Sequence, residues 1–237
     1  MIKWRLEQYP ELGSTSDEVI KRAKAGEGAG LAILALRQTA GRGSRGRVWA
    51  APEGNLNLSL LLRPAGPLRD AGLFSLMAGV AVMEALAHLG AFGLSLKWPN
   101  DILCHKAKLA GILIDASPAE GGMEWLTIGI GVNLRTAPEI PGRLTTSLAA
   151  QEMLIAPAAA AEAILSRISF WHDAPAEKIR QAWLAHGHAL GTALNIAYAN
   201  QHLHGYFAGL SAYGELLLER ENRIEILNTG EILQAGG

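Results

Sequence analysis

Three short apolar runs follow one another between residues 94 and 133, and they leave few folds open. The first, Leu94-Ser-Leu-Lys-Trp-Pro-Asn-Asp-Ile-Leu103, is broken by Pro99 with polar residues at the break. The second is Lys108-Leu-Ala-Gly-Ile-Leu-Ile-Asp115, and the third, Trp125-Leu-Thr-Ile-Gly-Ile-Gly-Val-Asn133, follows a Glu120-Gly-Gly turn. Each is too short for a typical helix and is punctuated by turn residues, so consecutive strands of a meander are expected. The rim of that meander carries Asn100, Asp101, Lys108 and Asn133. Gly129 and Gly131 inside the third strand point to close approach of a ligand or another backbone. Asn100-Asp101 directly after a proline would by itself be an ordinary turn.

Upstream, the apolar run 31–36 reads as a buried strand that delivers Arg37-Gln-Thr-Ala-Gly-Arg-Gly-Ser-Arg-Gly-Arg-Val-Trp49. Four arginines and three glycines without an acidic residue make a loop suited to an anion, because guanidinium forks pair with phosphate or carboxylate and glycine lets the backbone come close. Leu56, Leu58, Leu60 and Leu62 alternate with Asn57, Ser59 and Leu61, which predicts a strand with one strongly apolar face. Residues 68–89 carry a helical apolar pattern, with Gly90 as the stop. Before all of these, Ser14-Thr15-Ser16-Asp17-Glu18 precedes Val19, Ile20 and Ala23 at helical spacing. Thr15 with Glu18 fits a capping box, and a helix start also offers free N–H groups to a ligand.

Residues 135–147 form a loop with Pro138, Pro141 and Gly142, long enough to cover a site. A helical region from Pro157 divides at Pro175. From Thr192 the chain changes to short strands with turn signals at Asn200-Gln201, 211–214, Glu221-Asn222 and 228–230, a small β-barrel-like module expected to pack on the first domain. Domains are therefore expected over 1–187 and 188–237. His186, His188, His202 and His204 lack a convincing further ligand, so a metal site there is the weaker reading.

The 237 residues carry a net charge of −1, unlike the basic balance of most nucleic-acid binders, so the arginine loop is a local cationic site. A single cysteine, Cys104, excludes an internal disulfide and suits a reducing compartment. Neither a signal segment nor a run of about 18 apolar residues stands out, which places the expected location in the cytoplasm and away from membranes.

Gly41-Arg-Gly-Ser-Arg-Gly-Arg-Val-Trp49, Lys97-Trp-Pro-Asn-Asp101, Lys108-Leu-Ala-Gly-Ile-Leu113 and Gly129-Ile-Gly-Val-Asn133 resemble, in order, the motifs of biotin protein ligases, which attach biotin to carboxylase carrier domains. Ser14-Thr15 and Gly230-Glu-Ile232 match in order and spacing as well, so the resemblance spans essentially the whole chain. It implies an α+β fold, a mixed sheet with helices on one side like the class II synthetases, plus an SH3-like C-terminal β-barrel. It implies two steps: biotin carboxylate attacks the α-phosphate of ATP, giving biotinyl-5′-adenylate and pyrophosphate, and a carrier lysine then attacks the acyl carbon.

Carried over residue by residue, the resemblance places Ser14, Thr15, Ser16 and Gln38 on the biotin ureido ring. Gly111 to Leu113 and Ile128 to Ile130 would wall its bicyclic body. Gly41, Arg42, Gly43 and Ser44 would wrap the acyl-phosphate and Lys108 would bridge carboxylate and α-phosphate. Arg45 or Arg47 would meet the outer phosphates, while Trp49 and Asn133 would contact adenine. Magnesium is expected with ATP near Asn100 and Asp101, and Asp101 would also orient or deprotonate the incoming lysine. The implied partner is the biotin carboxyl carrier domain of acetyl-CoA carboxylase, with a homodimer as a further expectation and no nucleic acid. Two departures stand out: Ser16 replaces the common asparagine, and Ser44 replaces a common arginine. Some members carry an N-terminal helix-turn-helix, and the 13 residues before Ser14 are too few for one. Competing readings are a lipoate or octanoate ligase or transferase of related fold, which would not need the Ser14, Thr15 and Gln38 set, a non-catalytic anion- or RNA-binding module, and a catalytically dead homologue.

Overall fold

The structure is a computed structural model that describes residues 2–50, 52–199 and 201–233. Seven strands form one mixed sheet: β1 (Arg5–Leu12), β2 (Leu31–Gln38), β3 (Leu56–Leu62), β4 (Leu94–Lys97), β5 (Asp101–Cys104), β6 (Ala107–Ala119) and β7 (Gly122–Val132). Their order is β1-β2-β3-β7-β6-β5-β4, with β1 and β2 parallel and the other pairs antiparallel. The expected meander is present. The run 94–103 divides at its proline break into two strands, and β5 folds back on β4, with the Trp98-Pro99 peptide in the turn cis. β1 was not expected at all. It is an edge strand whose Arg5, Glu7 and Glu11 pair with surface charges on neighbouring segments, so it shows no apolar stripe.

β2 and β3 show how the sheet separates a core from a site. Ala32 and Leu34 on β2, with Leu56, Leu58, Leu60 and Leu62 on β3, pack on the face covered by α2 (Ala71–His88) and α3 (Pro157–His172). Leu31, Ile33 and Leu61 pack on the other face against Val19 and Ala23 of α1 (Thr15–Lys24). Helices therefore lie on both faces, α1 alone on the second. Each fully buried leucine contributes roughly 2 kcal/mol through lost apolar exposure. The other face of β3 is equally closed: Asn57 and Ser59 are buried beside the α1 N-terminus.

The α1 cap also differs from expectation. Ser14 is the N-cap, accepting from the Asp17 backbone N–H at 3.3 Å, whereas Thr15 is the first helical residue. Ser14 has the extended conformation a cap requires, which frees the Thr15 hydroxyl to point inward. The helix expected over 68–89 is present, and by length and its mean hydropathy of 1.5 alone Leu68–His88 could cross a membrane. It is apolar all round because it is the central core helix, with Leu76, Met77, Val80 and Leu86 buried under the sheet.

After α4 (Ala176–His186), the strands β8 (Ala193–Tyr198), β9 (Gln201–Leu210), β10 (Leu216–Arg220), β11 (Arg223–Leu227) and β12 (Glu231–Ile232) form an antiparallel sheet in the order β11-β10-β9-β8-β12. The expected turn at Asn200-Gln201 lies partly outside the described residues. This second sheet shares its core with the first: Phe207 packs on Trp183 and His188, and the buried Trp98 indole donates to the Gly214 carbonyl at 3.1 Å. Burial holds the His188 imidazole neutral, with its pKa pushed down to about 4, and the Lys97 charge works in the same direction.

Candidate active site

One wall of the central pocket is a chain of buried hydrogen bonds whose direction can be worked out. The Ala35 carbonyl can only accept, so Asn57 turns its amide nitrogen toward it at 3.2 Å and its oxygen toward the Gln38 amide at 3.4 Å. Gln38 Oε1 then accepts both the Thr15 N–H, at 2.7 Å, and the Thr15 hydroxyl, at 3.0 Å. With its one proton spent there, Thr15 Oγ1 accepts from Ser59 at 2.8 Å, and Ser59 Oγ in turn accepts from Ser16 at 3.1 Å. The relay runs Ser16 to Ser59 to Thr15 to Gln38. Ser16 Oγ is left with acceptor capacity at the pocket end, so this wall offers an acceptor to a ligand N–H.

The floor comes from β6 and β7, where alternation sends Ile112, Ile128 and Ile130 into the α2 core and presents Gly111, Leu113, Gly129 and Gly131 to the pocket. Of the two strand segments expected to wall the biotin body, Gly111, Ile112, Leu113, Gly129 and Ile130 line the pocket, and Ile128 is turned into the core. The glycines are needed for space: a Cβ on Gly129 would lie 2.6 Å from Ser16 Oγ, and one on Gly131 would lie 2.3 Å from the Trp49 ring. Trp49 rests over Gly131 with its ring nitrogen buried and unpartnered, and the cavity beside it is only about 40 Å³. That is well below the roughly 300 Å³ of an ordinary ligand pocket. Admitting a ligand of that size requires Trp49 and its loop to move.

Lys108 stands at the joint of wall and floor. Its ammonium donates to Asp101 at 2.5 Å and lies 5.7 Å from the Trp49 ring centroid. Asn100 donates its side-chain amide to the Ile112 carbonyl, which fixes the β4–β5 turn beside Lys108. Asn133 is buried, donates to the Thr146 carbonyl at 3.1 Å, and keeps an unpartnered side-chain oxygen. The loop 135–147 is anchored here, since the Lys108 N–H donates to the Leu144 carbonyl and the Thr146 N–H to the Lys108 carbonyl.

The arginine loop forms a small hairpin, bridged between Arg42 and Val48, with Arg45 in the left-handed region at φ 60°. Gly43 donates to the Arg47 carbonyl at 2.7 Å and Gly41 accepts from the Trp49 N–H at 2.9 Å. Arg42 spans Asp115, at 3.0 and 3.3 Å, and Asp17, at 3.0 Å. Partial burial works to lower its pKa, but these carboxylates outweigh it and leave the pKa raised. Arg45 and Arg47 both pair with Glu231 of β12, and Arg47 donates to the Ser44 hydroxyl at 3.0 Å. Asp17, Asn57, Ser59, Asp115 and Glu231 were not singled out in the sequence. For Asn57 and Ser59 a signal existed: polar residues at every second position of a leucine strand.

Biotin, ATP and magnesium are implied ligands whose fit can be tested on these residues. An acceptor-ended relay and a cationic loop fit a neutral N–H-bearing ring joined to a phosphate. For magnesium, no group of three His, Cys, Asp or Glu side chains gathers among the described residues, so His186, His188, His202 and His204 form no such group. Asp101 is a single carboxylate, a donor set that suits a magnesium ion held mainly by nucleotide phosphates.

Comparison with known proteins agrees with this geometry. Residues 14–133 match the model of the Biotin/lipoate A/B protein ligase family. The biotin–(acetyl-CoA-carboxylase) ligase of Paracoccus denitrificans is 35% identical, over 94% of this chain and 98% of its own. Biotin protein ligase from Aquifex aeolicus in complex with biotin and ATP superposes with a TM-score of 0.80 at 29% identity, covering 96% of this chain and 97% of that one. A mutant of the Aquifex aeolicus ligase in complex with biotin gives a TM-score of 0.84 at 27% identity, covering 99% of this chain and 100% of that one.

Proposed function

Because the chain belongs to the Biotin/lipoate A/B protein ligase family, we propose that its pocket activates biotin with ATP and transfers it to the biotin carrier of a carboxylase, acetyl-CoA carboxylase in particular. The observation that carries biotin over lipoate is the directed relay ending on Ser16. A ureido ring has N–H donors to offer the acceptor at the end of this relay, whereas the apolar tail of lipoate has none and would forgo a hydrogen bond worth roughly 1 kcal/mol at Ser16. Thr15, Ser16 and Gln38 hold the ring, with Ser14 fixing the helix start. Leu113 and the backbone of Gly111 and Gly129 take its apolar body.

In the first step a biotin carboxylate oxygen bonds to the α-phosphorus as the bond to pyrophosphate breaks. Lys108 sits between the carboxylate and the α-phosphate and neutralises the charge gathering there. Gly41, Arg42, Gly43 and Ser44 close over the acyl-phosphate, and Arg45 and Arg47 face the outer phosphates. Trp49 leaves the pocket and, with Asn133, meets the adenine. Asp101, with Asn100 nearby, would hold a magnesium ion brought in with the nucleotide, which would supply further screening of the phosphate charge. In the second step the neutral carrier lysine attacks the acyl carbon, AMP leaves, and Asp101 orients the amine and takes its proton.

We divide the chain at 187/188 and place the protein in the cytoplasm with its ATP-dependent reaction. A homodimer would form along β6, whose residues 113–119 extend beyond the β5 pairing and leave an open edge. Isotopic exchange between pyrophosphate and ATP tests the activity. Exchange that requires biotin and falls in Lys108→Ala supports it. Exchange with lipoate alone, or with no acid at all, rejects it.

A further inference from the structure

Beside the pocket lies a second cavity of about 250 Å³, which shares Ser44, Asn100 and Leu113 with it. Four cations line it, Arg45, Arg47, Lys97 and Arg143, against two carboxylates, Asp101 and Glu231. Asp101 already serves the Lys108 ammonium, and Glu231 alone receives Arg45, Arg47 and Arg143. One carboxylate cannot neutralise three guanidinium groups, and Lys97 adds a fourth positive charge. The cavity carries a net positive charge that its own side chains leave uncompensated.

Arg143 is the member for which no role follows from the motifs. It comes from the 135–147 loop and is aimed by a tight turn: Pro141 and Gly142 occupy the central positions, Gly142 has φ 73°, and the Arg143 N–H donates to the Ile140 carbonyl at 3.0 Å. Proline followed by a positive-φ glycine fits a type II turn. The turn itself is held by the anchoring of Leu144 and Thr146 on Lys108, so the Arg143 backbone is tied to the catalytic strand. Its side chain is 28% exposed. Burial lowers the Arg143 pKa, as do Arg47 and Arg45, with Asp101 opposing; burial likewise lowers that of Lys97, with Asp101 again opposing and Arg143, Lys108 and Arg47 adding to it. These guanidinium and ammonium groups are close enough to repel one another.

We infer that Arg143, with Lys97, completes a diphosphate subsite with Arg45 and Arg47, which binds the β- and γ-phosphates of ATP and then pyrophosphate before its release. The inference rests on the adenylating activity proposed above for its biological meaning, and on the cation cluster for its chemistry. Three guanidinium forks and an ammonium match the many oxygens of a diphosphate, and a cavity of this size next to the pocket places it where the leaving group would depart. Ser44 is the uncharged member of the loop at this cavity, so Arg143 supplies from a different loop a charge that position 44 lacks.

Calorimetric titration of the full chain with inorganic pyrophosphate and, separately, with AMP tests the subsite without relying on turnover. Arg143→Ala should weaken pyrophosphate binding about tenfold and leave AMP within twofold, since AMP has no β-phosphate, and Arg143→Lys should recover part of the loss. In the exchange assay the alanine variant should raise the KM for ATP and leave that for biotin unchanged. Pyrophosphate affinity unaffected by Arg143→Ala, or AMP weakened as much as pyrophosphate, would overturn the inference. Wild-type chain that binds pyrophosphate through Arg143 yet shows no biotin-dependent exchange would keep the subsite and discard the ligase reading.

Discussion

The two ends of this site are built on opposite principles. At the end formed by α1, β2 and β3, the polar groups are neutral, buried and satisfied by one another, from Ser16 through Ser59 and Thr15 to Gln38 and Asn57. At the other end they are charged, half exposed and satisfied by carboxylates borrowed from distant elements: Arg42 by Asp17 and Asp115, Arg45 and Arg47 by Glu231. A buried relay cannot exchange partners without leaving a group unpaired, so it is fixed before a ligand arrives. Exposed ion pairs are worth little individually and are easily traded for phosphate. The neutral end is suited to selecting by shape and donor pattern, and the cationic end to moving, which the small cavity beside Trp49 requires.

Lys108 joins the two ends, and its removal should break the comparison most severely. Lys108→Ala is expected to lower biotin-dependent exchange on the order of a thousandfold, with both substrates still able to bind. Thermal stability near that of the parent would separate this from misfolding.

Burial imposes neutrality at the junction of the two sheets as well, where His188 sits between Trp183 and Phe207. Its folded pKa of about 4 lies below the ordinary value of 6.5, so the unfolded chain takes up the proton first. Stability should be fully present above pH 6.5 and fall as the pH drops toward 4, by about 2 kcal/mol between pH 7 and pH 5. Urea unfolding at those two pH values, repeated with His188→Phe, would show whether the dependence vanishes with the imidazole.

A smaller effect belongs to the relay. Ser59→Ala should raise the KM for biotin about tenfold, because Thr15 and Ser16 each lose a buried partner, and should leave the KM for ATP alone. The cationic end should respond less to a single change. Ser44→Arg adds a fork to the loop and is expected to slow dissociation of biotinyl-adenylate about threefold, as read from the release rate of preformed intermediate; an unchanged rate would show that position 44 does not help to hold the intermediate.

Much of this was legible in the residues themselves. The meander followed from three punctuated apolar runs, and the arginine loop from its composition. β1 was not legible because its charges, Arg5, Glu7 and Glu11, answer to partners far away in sequence. The burial of Asn57 and Ser59 was not legible, since a one-strand pattern cannot show that α1 closes over that face. The pairing of three arginines with Glu231 depends on how β12 docks, and no local pattern encodes that. Thr15 looked like a cap because it begins the right spacing, yet the chain turns one residue earlier.

The division of labour between the two ends is best tested by measuring both Michaelis constants in pyrophosphate exchange for Ser59→Ala and Arg47→Ala side by side. The expected result is a clean split: Ser59→Ala raises the KM for biotin alone, and Arg47→Ala raises the KM for ATP alone. If each variant moves both constants to the same extent, the site works as one coupled unit, and the separation into a selecting end and a moving end is wrong.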